Sequence, residues 1–540
     1  MKNNLLFLLI LFSISSCLKG KPDLVEENLS ISKSDIEDGV INFVLNDFGS
    51  LSSHGLKTNI LPFKVATAAL LYSKGHDPKN ENSKTALKNL FKNYGMLVDA
   101  EIRNLPDGME FIAPEYLGIF KGNLEGGKYP LKVRIEGSGF SCASCHGGIT
   151  YNEQGEPQSD SMYLGVPNTS LNLEAYTYDV YKGFLSIVDK PKTFLSYLLK
   201  VYPQISRLEY TTIKLIFRKE IINKVRKLKR NLGRQTPMNN GGAGLTNGVA
   251  SLKYQFGLIT SSKNEPAETG FTSIPVIYDR SFRTSLLYDG LYSPKIDDKL
   301  SNLENLSRVV SFFTVPTSGN DPKVAAKQFT KVNKSMQFLE TAKRPSYPGS
   351  INYDQAMRGQ KIYQNKCASC HGEYSEGLSP ILVSYPNMIT PQSDMQTDSS
   401  RLDVIDQKLV DKVNLSNMGE FLTASKKDGY YPQILTSVWL SAPYLHNGSV
   451  TSLWELMNPE ERSDKFLIGG HRLDYKKVGI DLPKINENGI SSYADDYKPW
   501  STPELYDTTE PGKSNTGHIK PFDQMSTQEK WDVIEYLKLL

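Results

Sequence analysis

The chain is short of the residues that staple a protein or bind its metals. Its 540 residues include five cysteines, seven histidines and four tryptophans. So few cysteines in so long a chain exclude a disulfide framework. The net charge is only +3, far from the basic balance that attracts nucleic acid, and no basic motif argues for such a partner. Long apolar runs are missing too. Leu5–Phe12 is unbroken but falls well short of the roughly 20 residues that span a bilayer. With 39% apolar and 22% charged residues, the composition is that of an ordinary globular protein.

What cysteine there is has been placed economically. Cys142-Ala143-Ser144-Cys145-His146 recurs residue for residue as Cys367-Ala368-Ser369-Cys370-His371. Cys-x-x-Cys-His is the attachment signal for haem c: two thiols form thioethers and the histidine faces the iron. A thiol-redox pair and a zinc site are the alternatives. Both fit less well, because each copy puts its histidine directly after the second cysteine. Two covalent haem c groups are therefore expected, with Cys142, Cys145, Cys367 and Cys370 as attachment points and His146 and His371 as iron ligands.

The fifth cysteine, Cys17, follows a positive start at Met1-Lys2, the apolar run, and Ser15-Ser16. This is a secretory signal layout. Ile14-Ser15-Ser16-Cys17 resembles a bacterial lipoprotein box, with an ordinary signal peptide as the alternative. The expectation is a lipid-anchored protein on the periplasmic or cell-surface side, lipidated at Cys17.

The organisation reads as a signal over 1–17, a tether and helical extension over 18–95, a first haem c domain with a long insertion over 96–345, and a second over 346–540. The tether is assigned from the polar stretch Lys19–Asn46. Helical patterns occupy Pro62–Tyr94 and 193–231. Asn239–Gly244 is loop chemistry. Asp354–Lys366 predicts a helix running into Cys367. Gln528–Leu540 predicts a closing helix, started by a capping box at Ser526-Thr527-Gln528-Glu529. The predicted class is mainly α and loop-rich, with two cytochrome-c-like haem domains in one chain.

The other axial face of each iron decides what the group does. Outside the motifs the histidines are His54, His76, His446, His471 and His518. His518 lies in a loop before the closing helix, well placed for the second haem. Met388 and Met395 are its rivals. His446 suits a haem-edge or bracing role, and His471 a structural one.

Ala442-Pro443-Tyr444-Leu445-His446-Asn447-Gly448-Ser449-Val450 is similar to a segment of dihaem cytochrome c peroxidase relatives. Lys513–His518, Glu529-Lys530-Trp531 and Ile534–Lys538 more narrowly resemble the C-terminus of the rubber-oxygenase branch. The resemblance implies that His146 holds a first haem whose other face is open to O2, and that His371 and His518 hold the second. Tyr288-Asp289-Gly290 resembles a Trp-Asp-Gly-Asn segment near the first haem, with tyrosine in place of tryptophan. Tyr288 and His446 are the candidate catalytic residues, and a helix from Leu300 to Phe312 is the expected roof of the first pocket.

Three readings follow. The first is a haem oxidoreductase whose first haem binds O2 or peroxide and whose second transfers electrons. The second is a dihaem peroxidase. The third is a non-catalytic carrier between redox partner proteins. Small organic molecules, O2 or peroxide are the candidate substrates. For the anchor, Cys17→Ser should move the protein from the membrane fraction to the soluble one; unchanged fractionation with no acyl mass on the wild-type protein would refute lipidation.

Overall fold

The computed structural model describes residues 22–23, 35–46, 61–124, 135–216, 221–232, 239–260, 268–317 and 322–540. Cys17, the signal segment and His54 lie outside them. Helix makes up 42% and strand 13%, so the fold is mixed rather than mainly α. The strands are short, two to six residues, and form small sheets that brace loops. Runs this short lack the sustained alternation that marks a strand in sequence.

Seven helices frame the sites: α1 (Asp35–Leu45), α2 (Phe63–Ser73), α3 (Leu173–Ile187), α4 (Asn302–Thr317), α5 (Phe329–Thr341), α6 (Tyr353–Lys366) and α7 (Thr527–Leu537). The end of the expected tether is α1, a packed helix. Its acidic residues Asp35, Glu37 and Asp38 fill the first turn, where the helix dipole favours negative charge. They mask an apolar stripe of Val40, Phe43 and Val44, which is fully buried. Lys334 of α5 pairs with Asp35 at 3.0 Å and with Asp38 at 2.5 Å. Gly39 allows the close approach, since a Cβ there would lie 2.3 Å from the Lys334 carbonyl oxygen. Within 193–231 the helices Arg207–Ile216 and Ile222–Leu232 are described, with Ile213, Ile222 and Val225 buried.

Two apolar clusters form the core. The larger runs without a break across residue 345, from α1 through α5 to Val533, Ile534 and Tyr536 of α7. The smaller gathers α2, α3 and the following helices, with Leu70, Phe91, Phe184 and Phe194. The first Cys-x-x-Cys-His lies between them: Cys142 packs on the larger cluster and Cys145 on the smaller. It is reached from an antiparallel hairpin, β1 (Ile119–Leu124) with β2 (Ile135–Phe140). α4 turns Leu306, Val309 and Phe312 into the larger cluster, and Phe312 stacks on Phe421 at 5.0 Å.

α6 and α7 cross as a tight pair. Asn352 caps α6 and Ser526 starts α7 with the predicted capping box. Arg358 forks onto the Asp532 carboxylate at 2.8 and 2.9 Å, and Tyr363 meets Tyr536 ring to ring at 5.2 Å.

A second duplication accompanies the two motifs. Segments 275–292 and 433–450 repeat one conformation at a constant offset. Left-handed residues recur at Asp279 and Ser437, at Leu287 and Leu445, and at Gly290 and Gly448. Three-residue 3-10 turns follow at Arg280–Phe282 and Val438–Leu440. The bridges Leu286 to Tyr292 and Tyr444 to Val450 close both loops. Tyr288 and His446 occupy the same place in the two copies. Motif and loop stand further apart in the first half, where the helices between 173 and 232 intervene.

Gly359 is where α6 touches α7: a Cβ would lie 1.9 Å from the Asp532 carbonyl oxygen. Gly359→Ala gains about 1 kcal/mol in helix propensity. Forcing the backbones apart costs about 1–3 kcal/mol or more, so net destabilisation is expected. Denaturant unfolding of the haem-loaded protein checks it; a variant more stable than wild type would contradict the packing.

Candidate functional site

Both motif histidines are held in the same way. His146 Nδ1 faces the Pro275 carbonyl at 3.1 Å, and His371 Nδ1 faces the Gln433 carbonyl at 2.7 Å. Pro275 and Gln433 are equivalent positions of the duplicated loop. A carbonyl can only accept, so Nδ1 carries the proton and Nε2 keeps its lone pair free. Burial pushes His146 and His518 down to about 4 and lowers His371 as well. All three are neutral at pH 7, the form that binds a metal.

The first motif is a short helix, Cys142–His146. The carbonyls of Cys145 and His146 accept from the amides of Asn168 at 2.8 Å and Gly165 at 2.7 Å. Ser144 Oγ donates to the Gly118 carbonyl at 2.7 Å. A Cβ on Gly118 would lie 2.3 Å from Ser144 Cα, so only glycine lets β1 come this close.

The second motif opens on a cavity of about 240 Å³. Cys367, Cys370 and His371 form one wall, and His518 and Met395 belong to the same lining. Tyr288, Tyr430 and His446 join Val438, Leu456, Phe522 and Leu537 around them. The rings of His371 and His518 lie 6.2 Å apart, centre to centre, at 42°. Met388 is 59% exposed, whereas Met395 remains beside His518.

His518 is fixed in place by its surroundings. Its φ is +51°, a left-handed conformation that costs a non-glycine residue free energy. A Cβ on Gly517 would strike the 395–397 backbone at 2.4 Å. The His518 amide donates to the Met395 carbonyl at 2.7 Å. Arg462 Nη1 donates to the carbonyls of Asn515 at 2.5 Å and Gly517 at 2.9 Å. Phe522 stacks on the imidazole at 5.2 Å.

Tyr288 and His446 meet each other at the seam of the two halves, edge to face at 6.5 Å. Tyr288 donates to or accepts from Ser273 Oγ at 2.8 Å. His446 stacks on Tyr430 at 4.3 Å, and its buried Nε2 has no partner among the described residues. Tyr288 was expected in the first pocket; it lines the second cavity instead. Its loop also carries Pro275, the partner of His146, so the ring stands at the junction. His471 bonds Tyr151 at 2.9 Å, and His76 bonds Ser83 at 2.9 Å; both brace the fold.

Burial pushes Cys142, Cys145 and Cys367 up to about 12, away from the reactive thiolate. Among the described residues no three His, Cys, Asp or Glu side chains converge as metal ligands. The donor set does suit haem c. Two metal–nitrogen bonds of about 2 Å each, with the depth of two rings, account for the separation of His371 and His518. The apolar lining suits a macrocycle. The first site offers two thiols and one metal-ready imidazole in the same relation.

Sequence reasoning missed the two carbonyl partners and Arg462, because backbone groups and a lone arginine carry no motif. It also missed Glu174. This carboxyl is buried, accepts from the Asn247 amide at 3.2 Å, and leaves Oε2 without a partner among the described residues. Burial pushes it up to about 7, and its charge reaches the Cys145 thiol.

Comparison with known proteins agrees with this geometry. A cytochrome c family model matches residues 356–435, and a model described as RoxA-like, cytochrome c-like matches 429–467. The segment 356–467 is of cytochrome c type and similar to the RoxA-like group. Covalently bound haem c follows from that. Two proteins of Sinorhizobium fredii, both uncharacterised, are also similar. One, y4iM, is 24% identical over 313 residues, 51% of this chain and 65% of its own length. The other, y4iJ, is 29% identical over 282 residues, 41% of this chain and 44% of its own. The chain thus covers less than two thirds of either relative. Among the described residues no helix is long and apolar enough to cross a membrane.

Glu174 yields a pH prediction. Unfolded, its carboxyl titrates near 4.5; folded, near 7. Between those values the folded state keeps a proton that the unfolded state has lost, so stability falls as pH rises. Glu174→Gln removes that slope. Its stability relative to wild type should rise from pH 5 to 7, by at most on the order of 3 kcal/mol. Denaturation across that range measures it, and parallel curves would refute it.

Proposed function

We propose that the chain carries two haem c groups and acts as an exported haem oxidoreductase with its two sites in unequal roles. The observation that carries this reading is the contrast between the sites. His371 faces a second imidazole, His518, across 6.2 Å. Among the described residues no other histidine ring is seen against His146: His446 stacks on Tyr430, His471 bonds Tyr151 and His76 bonds Ser83. Bound haem supplies electron transfer where both axial faces are taken, and O2 or peroxide chemistry where one is open.

In this reading His371 and His518 hold an electron-transfer haem, and Arg462 and Phe522 keep the His518 loop from yielding its ligand. His146 holds the reactive haem. Tyr288 and His446 connect the two sites as a pair of rings at the seam. The RoxA-like resemblance supports an oxygenase acting on an organic substrate. Glu174 favours a peroxidase as the second reading, because a buried carboxyl near pH 7 serves as a proton acceptor and donor. Lipid anchoring at Cys17 and a place outside the cytoplasm complete the proposal.

Pyridine haemochrome of the matured protein should give two haems per chain, and Cys142→Ser or Cys370→Ser should weaken attachment of one. CO should bind about one reduced haem rapidly in the wild type. His518→Ala should turn one low-spin haem high-spin or water-ligated. If neither reduced haem takes CO, the catalytic reading gives way to the carrier. If Met395→Ala, rather than His518→Ala, removes a low-spin signal, the ligand is the thioether. Peroxide turnover with no oxygen-dependent cleavage of an organic substrate selects the peroxidase.

A further inference from the structure

Two guanidinium groups, one of a buried arginine and one of a half-buried arginine, lie between the motif sites with too few partners. Arg283 is 1% exposed. Its Nη2 donates to the Leu287 carbonyl at 3.0 Å, it reaches the Tyr385 phenol, and it lies over the Tyr385 and Tyr431 rings. Its Nε and Nη1 are buried without a partner among the described residues. Arg280 donates through Nη2 to the Val276 carbonyl, and its Nε is equally orphaned. Among the described residues neither forms an ion pair with a carboxylate. Asp279, whose charge reaches Arg280, is held by Arg344 and by Thr436, the latter at 2.5 Å. Asp289 is held by Arg401 at 2.6 Å.

Burying one unpaired cation is costly, and two adjacent cations repel as well. Burial, with the field of Arg283 added, pushes Arg280 down to about 10. A group this poorly compensated marks a place where an anion belongs.

The duplicated loop says which way the pair faces. The equivalents of Arg280 and Arg283 in the second half are Val438 and Ser441, and both line the cavity of the His371 motif. Arg280 is close enough to His146 for its charge to act on the imidazole. Arg283 lies 5.0 Å from the Tyr431 ring centre, and Tyr431 lines the second cavity. The pair therefore stands on the wall of the first site that, in the other half, faces the cofactor cavity.

We infer that Arg280 and Arg283 form one anion site that receives the propionate carboxylates of the haem held at Cys142, Cys145 and His146. This rests on the haem reading above. Arginine is suited to the task because its planar fork meets a carboxylate with two parallel bonds. Val438 and Ser441 offer the second haem no such charge. The two haems thus sit in unlike fields, and cationic partners favour the less positive, ferrous state of the first. Charge, hydrogen bonding and burial around haem are the protein's means of setting its potential.

The test uses the matured, full-length protein and its Arg280→Gln and Arg283→Gln variants. Haem is counted first by pyridine haemochrome. Midpoint potentials are then followed by spectroelectrochemistry across pH, with and without added phosphate. The inference expects two haems in each protein. In the variants one potential should fall and become pH-dependent in the carboxylate range, while the other is unmoved. Arg280→Lys and Arg283→Lys should shift the same haem in the same direction by less; they carry the test if the glutamine variants do not mature. Unchanged potentials with full haem content overturn the inference. A wild-type potential that moves with phosphate also overturns it, because the occupant is then a free anion. A wild-type protein without haem on the first motif sinks the haem reading itself, and the count shows this before any potential is measured.

Discussion

A histidine that is to hold a metal must first give its other ring nitrogen to an acceptor. In this protein both motif histidines do so, and both acceptors are backbone carbonyls, of Pro275 and Gln433. The bond fixes the tautomer, aims Nε2, and ties each motif to a loop far away in the chain. Much of the remaining architecture follows from placing those two loops. The left-handed residues, the 3-10 turns and the closing bridges are the same in both because the task is the same.

The duplicated loops also bring the two halves together. Tyr288 and His446, equivalent in position, meet at the seam. The larger apolar cluster passes through this region from α1 to α7. The halves are therefore not beads on a string: side chains of the first loop line the cavity of the second motif. Their chemistry then diverges by substitution at matched positions. Where the second half has Val438 and Ser441, the first has Arg280 and Arg283. A charge gained in a buried wall alters the local field far more than the same charge at the surface would.

Family models of cytochrome c type match residues 356–467, the part that holds the second motif and its loop. The first half keeps the motif and the loop but separates them with helices that build the smaller apolar cluster. That insertion brings Glu174 toward Cys145 and gives the first site a buried carboxyl.

The sequence by itself determined the covalent chemistry. A haem attachment signal is five consecutive residues, and its meaning does not depend on folding. Helices α6 and α7 were legible for a similar reason: caps and periodicity are local. His518 was pointed to by the family resemblance rather than by its position alone, and its ring stands opposite that of His371. Only the tertiary structure decided the rest. α1 was read as a tether because acidic first-turn residues hide an apolar stripe that is apparent only once α5 covers it. Tyr288 moved from the first pocket to the junction because loops are placed by long-range bonds. The carbonyl partners, Arg462, Glu174 and the arginine pair were invisible in sequence for one physical reason. Their roles come from burial and from which groups are left without partners, and both are properties of the packed chain.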